Sequence, residues 1–113
     1  RDVAPSRGLG DVYKRQERIL SKQLLRSGTA IGAMVCEAEF AESASDFIHK
    51  LHIALKEANE TAYWLLLLYK SDYIDASSYE SIDQDAKELI KLLVCIIKTS
   101  KENNQKKKQA EKI

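Results

Sequence analysis

Few residues of this 113-residue chain could do chemistry, and their spacing limits what that chemistry could be. His49 and His52 stand three apart, with Asp46 one helical turn before His49. A carboxylate-x-x-His pair suits a di-metal helical bundle, but such a site needs the motif twice plus two further carboxylates. The chain holds no other histidine, so exposed or interface histidines are the better reading, with a zinc shared between subunits as the alternative. Glu57 and Glu60 form an i,i+3 acid pair that could exchange protons. Lys56 beside them favours a solvated face or a salt bridge between subunits. Cys36 has no histidine near it in sequence, so thiol catalysis has no support. Arg18, Lys22 and Arg26 lie on one side of a helical segment, and Lys106, Lys107 and Lys108 form a terminal run. Both groups are candidates for phosphate contact, although charge runs more often only solvate a surface.

The elements that must position these groups are helices. Pro occurs once and Gly four times, all before residue 33, so breakers are absent from the last eighty or so residues. A first helix is expected from Glu17 to about Phe40, burying Leu20, Leu24, Ile31, Val35 and Ala38, with Ser27 or Gly28 filling the missing turn. Gly28, Ala30, Gly32 and Ala33 cluster in its middle. Glycine there costs about 1 kcal/mol against Ala, tolerable where a neighbouring backbone comes close; a break near Gly28 is the alternative.

Ser43, with Asp46 three residues on, is a capping-box-like start for a second helix. Ile48, Leu51, Leu55, Ala58, Ala62, Leu65 and Tyr69 make one apolar stripe on it, and Phe47, Ala54, Thr61 and Leu68 a second beside it. From Trp64 to Leu68 the helix is apolar nearly all round and needs cover on more than one side. Tyr63, Trp64, Leu67 and Leu68 are therefore the candidate oligomer contacts. After a polar connection from Lys70 to Tyr79, a third helix is expected near Ser81, with Gln84 as cap partner. Ile82, Ala86, Leu89, Ile90, Leu93, Ile96 and Ile97 form its buried face. Beyond Glu102 a basic, frayed tail is expected over residues 104–113.

Hydrophobic residues make up 44% and charged residues 31%, ordinary for one soluble all-α domain. The net charge of +1 conceals segregation: basic ends flank an acidic middle. The apolar run Ala62–Tyr69 is far short of the ~20 residues that span a bilayer. No signal peptide is visible, and Cys36 and Cys95 read as small buried hydrophobes of a reducing compartment. A cytoplasmic protein without membrane contact is expected. Asp11 to Gln16 reads DVYKRQ, the translation of a transposase adapter used in sequencing libraries. Residues 1–16 are therefore expected to be a non-native arm ahead of a bundle domain over residues 17–103.

The stretches SKQLLRSGTAIGAMVCEA, DFIHKLHIALKEANET and YWL carry a specific resemblance. They are similar to the pattern SKQLLRSGTSIGANVXEA, FIXKLXIALKEAXET and YWL of the four-helix-bundle family encoded in intervening sequences of bacterial 23S ribosomal RNA genes. The match covers roughly Glu17 to Asn103. Ala30, Met34 and Cys36 depart from it, standing where the pattern is usually polar. The resemblance implies an antiparallel up-down bundle, of which this chain would hold the last three helices. A fragment lacking the family's first helix is expected to fold poorly. The resemblance also implies a homo-oligomer, a pentameric ring, with no cofactor and no established catalytic activity. A more distant relative, the accessory protein of diversity-generating retroelements, is similar in fold and binds a reverse transcriptase and nucleic acid. The expected function is a non-enzymatic oligomeric scaffold associated with RNA, DNA or a nucleic-acid enzyme. The alternative is a purely protein-binding structural oligomer.

Overall fold

The structure is a computed structural model that describes residues 4–112, with side chains from residue 10 onward. Three α-helices account for nearly all of it: α1 (Ala4–Glu39), α2 (Ala44–Lys70) and α3 (Ala76–Glu111). Short connections make consecutive helices antiparallel. The cross-links between α1 and α2 show it, with Tyr13 meeting Asp72, Arg26 meeting Glu57 and Glu37 meeting Lys50. Among the described residues α1 and α3 each pack on α2 and not on each other. The result is a long, thin body of 79 × 24 × 16 Å with α2 in the middle.

The core follows the expected stripes except at Ile82, which was expected in the buried face of α3 but is 47% exposed. Ile48, Leu51, Ala54 and Ala58 of α2 are buried in one cluster with Ile31 and Ala38 of α1 and Leu93 and Ile97 of α3, and Leu65 and Leu68 are buried further along α2. Burying each large aliphatic side chain contributes roughly 1.5–3 kcal/mol. Ser27, fully buried, fills the missing turn of the α1 stripe. Thr61 Oγ1 lies 2.9 Å from Ser27 Oγ, which lies 3.2 Å from the Leu24 carbonyl oxygen. Thr61 Oγ1 also lies 2.8 Å from the Glu57 carbonyl oxygen, which can only accept, so Thr61 donates there while accepting from Ser27, and both hydroxyls are satisfied. Met34, where the family pattern is polar, packs against the core as apolar bulk.

α1 runs unbroken through Gly28, so no break occurs there. The close approach expected at its glycines is also absent: a Cβ added at Gly28 or Gly32 would meet no atom within 4 Å. Both glycines lie on the flank of α1 that α2 leaves uncovered. α1 also begins earlier than Glu17. The segment expected to be a non-native arm is helical from Ala4, and Pro5 sits in the first turn, where a missing N–H costs nothing. Tyr13 holds this segment to the α2–α3 turn, its ring centroid 4.3 Å from that of Tyr73 and its hydroxyl donating to the Asp72 carbonyl at 2.9 Å. Residues 1–3 of the expected arm lie outside the described residues.

The Ser43 cap forms as expected. Its Oγ accepts from the Asp46 N–H at 3.0 Å, and the Asp46 carboxylate reaches back to the Glu42 N–H at 3.2 Å. α2 ends in a Schellman arrangement, with Tyr73 N–H on the Leu68 carbonyl, Asp72 N–H on the Tyr69 carbonyl and Asp72 at φ 64°. The start of α3 needs correction. Its N-cap is Asp75, which accepts from the Ser78 N–H at 2.7 Å, and Ser81 lies inside the helix. Tyr79, expected in the connection, stacks on Tyr69 within that first turn. The frayed tail expected past Glu102 is helix to Glu111. Its Lys, Gln, Glu and Ala residues are good helix formers, and extending a formed helix is far easier than nucleating one.

Candidate functional site

The groups singled out for chemistry do not converge. Glu57 and Glu60 face one cation within their own chain: Arg26 Nη1 is 3.3 Å from Glu57 Oε1 and Arg26 Nη2 is 2.8 Å from Glu60 Oε1. This clamp joins α1 to α2. It uses up both acids and removes Arg26 from the set of cations open to a phosphate. His49 and His52 are exposed on α2, and Asp46 is occupied by the cap. Among the described residues no three His, Cys, Asp or Glu side chains gather where a metal ion could be held. Cys36 and Cys95 are exposed, a correction to the expectation that both are buried. Each lies two residues from a core position, Ala38 and Leu93 or Ile97, so the helical turn carries it outward.

The basic candidates are distributed over two helices. Arg18 and Lys22 are exposed on α1, and neither makes an ion pair among the described residues. Lys106, Lys107 and Lys108 are all exposed, but consecutive helical residues point about 100° apart. Lys107 turns toward the start of α2, lining a shallow hollow with Ala44, Phe47, Ser100 and Asn104. The run is therefore not one patch.

Of the four candidate oligomer contacts, Leu68 is 3% exposed and belongs to the core of the single chain. Its place in an apolar helical stripe decides this, since 61, 65 and 68 share one face. Leu67 is half-buried and lines a hollow with Ile19, Leu20 and Tyr73. Tyr63 is 54% exposed and meets Trp64 edge-on at 5.2 Å. Trp64 is half-buried, and its buried Nε1 has no hydrogen-bond partner. Large apolar side chains outside the expected set are also exposed, among them Ile19, Leu25, Phe40, Leu66 and Leu92. Leu25 is the most telling, 67% exposed within a turn of Gly28.

The remaining electrostatics are local. A hydrogen bond from Lys50 to Glu37, reinforced by the charge of that carboxylate, raises the Lys50 pKa. The N–H of Ser78 holds Asp75 below the usual carboxylate range. Desolvation, then the nearby Tyr13 and Glu17, raise Tyr73. Each shift has a structural partner, and none creates a poised acid or base in a cleft.

These features define an all-α protein of antiparallel helices whose polar groups are spent on caps and inter-helix links. The profile of the 23S rRNA-intervening sequence protein family matches residues 9–95, and the chain belongs to that family. Among solved structures, it is similar to a protein of unknown function from the S23 ribosomal protein family of Bacteroides thetaiotaomicron. That likeness has 56% sequence identity and a TM-score of 0.72, covering 78% of this chain and 86% of the other. No curated protein shows a significant match. No helix among the described residues is long and apolar enough to cross a membrane.

Proposed function

We propose that this protein is a non-enzymatic, cytoplasmic scaffold that assembles from several copies, as a pentameric ring, and associates with RNA, DNA or a nucleic-acid enzyme. The observation that carries the reading is the division of its exposed surface. Large apolar side chains remain uncovered on all three helices, while α1 and α3 carry exposed cations that make no ion pair among the described residues. Uncovered apolar side chains favour contact between protein surfaces, and unneutralised cations favour polyanions. A ring would bring several copies of each basic face together, offsetting the acidic middle of each single chain.

The test is the full-length protein purified from its host, with its mass and its ratio of absorbance at 260 and 280 nm measured together. The expected result is a multimer that carries nucleic acid and releases it as salt rises. A multimer free of nucleic acid that binds none at about 50 mM salt would instead support a purely protein-binding structural oligomer. The exposed Leu25 beside two open glycines is the observation that favours that second reading.

A further inference from the structure

The cations of α3 fall into a register that the run at 106–108 conceals. Lys91, Lys98, Lys101, Lys108 and Lys112 follow one another at steps of seven, three, seven and four residues. At about 100° per residue these steps keep all five within an arc of about 100°. Val94 and Gln105 occupy the intervening turns of the same arc. The helix is unbroken from Ala76 to Glu111, and Lys112 continues it with αR backbone. All five lysines are exposed, and none forms an ion pair among the described residues. The acids of this half of α3 lie off the arc, Glu102 about 20° and Glu111 about 60° beyond its edges. Lys87 would extend the stripe, but it is paired with Asp83 at 2.9 Å. By contrast, Lys106 and Lys107 leave the arc, and Lys107 turns toward Ala44 and Phe47.

We propose that this lysine stripe of α3 is a contact face for the phosphate backbone of a nucleic-acid duplex, read without regard to base sequence. The inference rests on the nucleic-acid reading above and gives it a location. Three properties favour this occupant. From Lys91 to Lys112 the stripe runs about 31 Å at 1.5 Å per residue, close to the ~34 Å of one duplex turn. A straight, regular row of single charges suits a regular polyanion. Lysine supplies a flexible point charge rather than the planar fork that reads base edges, so it favours positioning over sequence recognition. A membrane surface fits poorly. Over its last two turns the side of α3 away from the stripe carries Asn103, Asn104 and Lys107, not the apolar face that an interfacial helix buries.

The test uses the full chain and a fluorescent duplex of about 25 base pairs, once as DNA and once as RNA, with binding followed by anisotropy across salt. Five neutralised phosphates predict a log–log salt slope of about −4.5 on duplex DNA. Replacing Lys91, Lys98, Lys101 and Lys108 with Gln should reduce that slope to about −1 and weaken binding at least tenfold at low salt. Gln keeps the helix propensity of Lys, and an unchanged circular dichroism spectrum checks the fold. Two control variants, Arg15→Gln/Arg18→Gln/Lys22→Gln and Lys106→Gln/Lys107→Gln, should keep most of the slope. If the wild type binds duplex but the α1 control loses as much as the stripe variant, the stripe is overturned and the nucleic-acid reading survives. If the wild type binds neither duplex at low salt, the stripe proposal fails, and the nucleic-acid reading rests on whether nucleic acid co-purifies from the host. Binding that poly-glutamate displaces as readily as unlabelled duplex would mark the stripe as a site for acidic protein and overturn the proposal.

Discussion

At the residue scale, the polar groups that looked most chemical are occupied by architecture. Arg26, a phosphate candidate in the sequence, spans from α1 to both Glu57 and Glu60. That partnership was not legible because it joins residues thirty-one and thirty-four apart, and spacing along one helix says nothing about the facing helix. Ser27 was legible as filler for a missing turn, whereas its bond to Thr61 required the α1–α2 register. The contributions should rank by burial. Ser27→Leu forces a larger side chain into a site with 0% exposure and should cost about 1–3 kcal/mol. Thr61→Val removes a neutral hydroxyl that bonds both Ser27 and the Glu57 carbonyl, and should cost about 0.5–1.5 kcal/mol. The Arg26 side chain is 47% exposed, so Arg26→Gln should change stability by less than about 1 kcal/mol despite two close contacts. Urea unfolding midpoints of the three variants give the order directly. If Arg26→Gln proved the costliest, the clamp would be structural in a way its exposure does not support.

At the element scale, the three helices were readable because apolar residues recur at three and four, and the buried set of α2 follows that recurrence closely. The boundaries were readable only where the cap was unambiguous. Ser43 with Asp46 stood alone before an apolar stripe, so the start of α2 was placed to the residue, while Lys70, expected in the connection, still belongs to α2. Before α3 the Ser81–Gln84 spacing suggested the cap, and Asp75 was passed over although it takes the Ser78 N–H. That bond holds the Asp75 pKa below its ordinary 3.8, which fixes a sign. The carboxylate is more acidic in the folded state, so its contribution to stability is present above the ordinary value and is lost as pH falls through the folded one. Asp75→Asn keeps a good N-cap acceptor but cannot titrate. The wild type should therefore lose stability relative to Asp75→Asn as pH falls below about 5 and through the ordinary carboxylate range, and the two should nearly coincide at neutral pH. Chemical unfolding at several pH values measures the gap. Parallel acid loss in both proteins would remove the cap from the account.

At the scale of the whole molecule, the chain leaves one question that its own contacts do not answer: what the open side of α1 faces. Gly28 and Gly32 sit in the interior of a long helix, where each costs roughly 0.5–1 kcal/mol against alanine. Within the single chain nothing offsets that cost, since an added Cβ at either position meets no atom within 4 Å. Leu25, exposed within a turn, adds an uncovered apolar side chain beside them. The small-residue cluster was legible in the sequence as a close-packing surface. The sequence could not say whether the packing partner lies in the same chain, and the α2 contact turns out to lie on another face of α1. In an oligomer the glycines would admit a neighbouring copy's backbone. Gly28→Ala with Gly32→Ala separates the two levels. The isolated protomer should gain about 1–2 kcal/mol from the pair, because both changes favour helix and meet open space. The assembly should weaken, because two methyl groups now occupy the face on which the neighbour sits. Light scattering over a dilution series should therefore show a lower mass, while thermal melts of the dilute protein shift upward. A variant that melts higher and keeps its full mass would put the contact between copies elsewhere, with exposed Tyr63 and Leu66 of α2 the next surface to test.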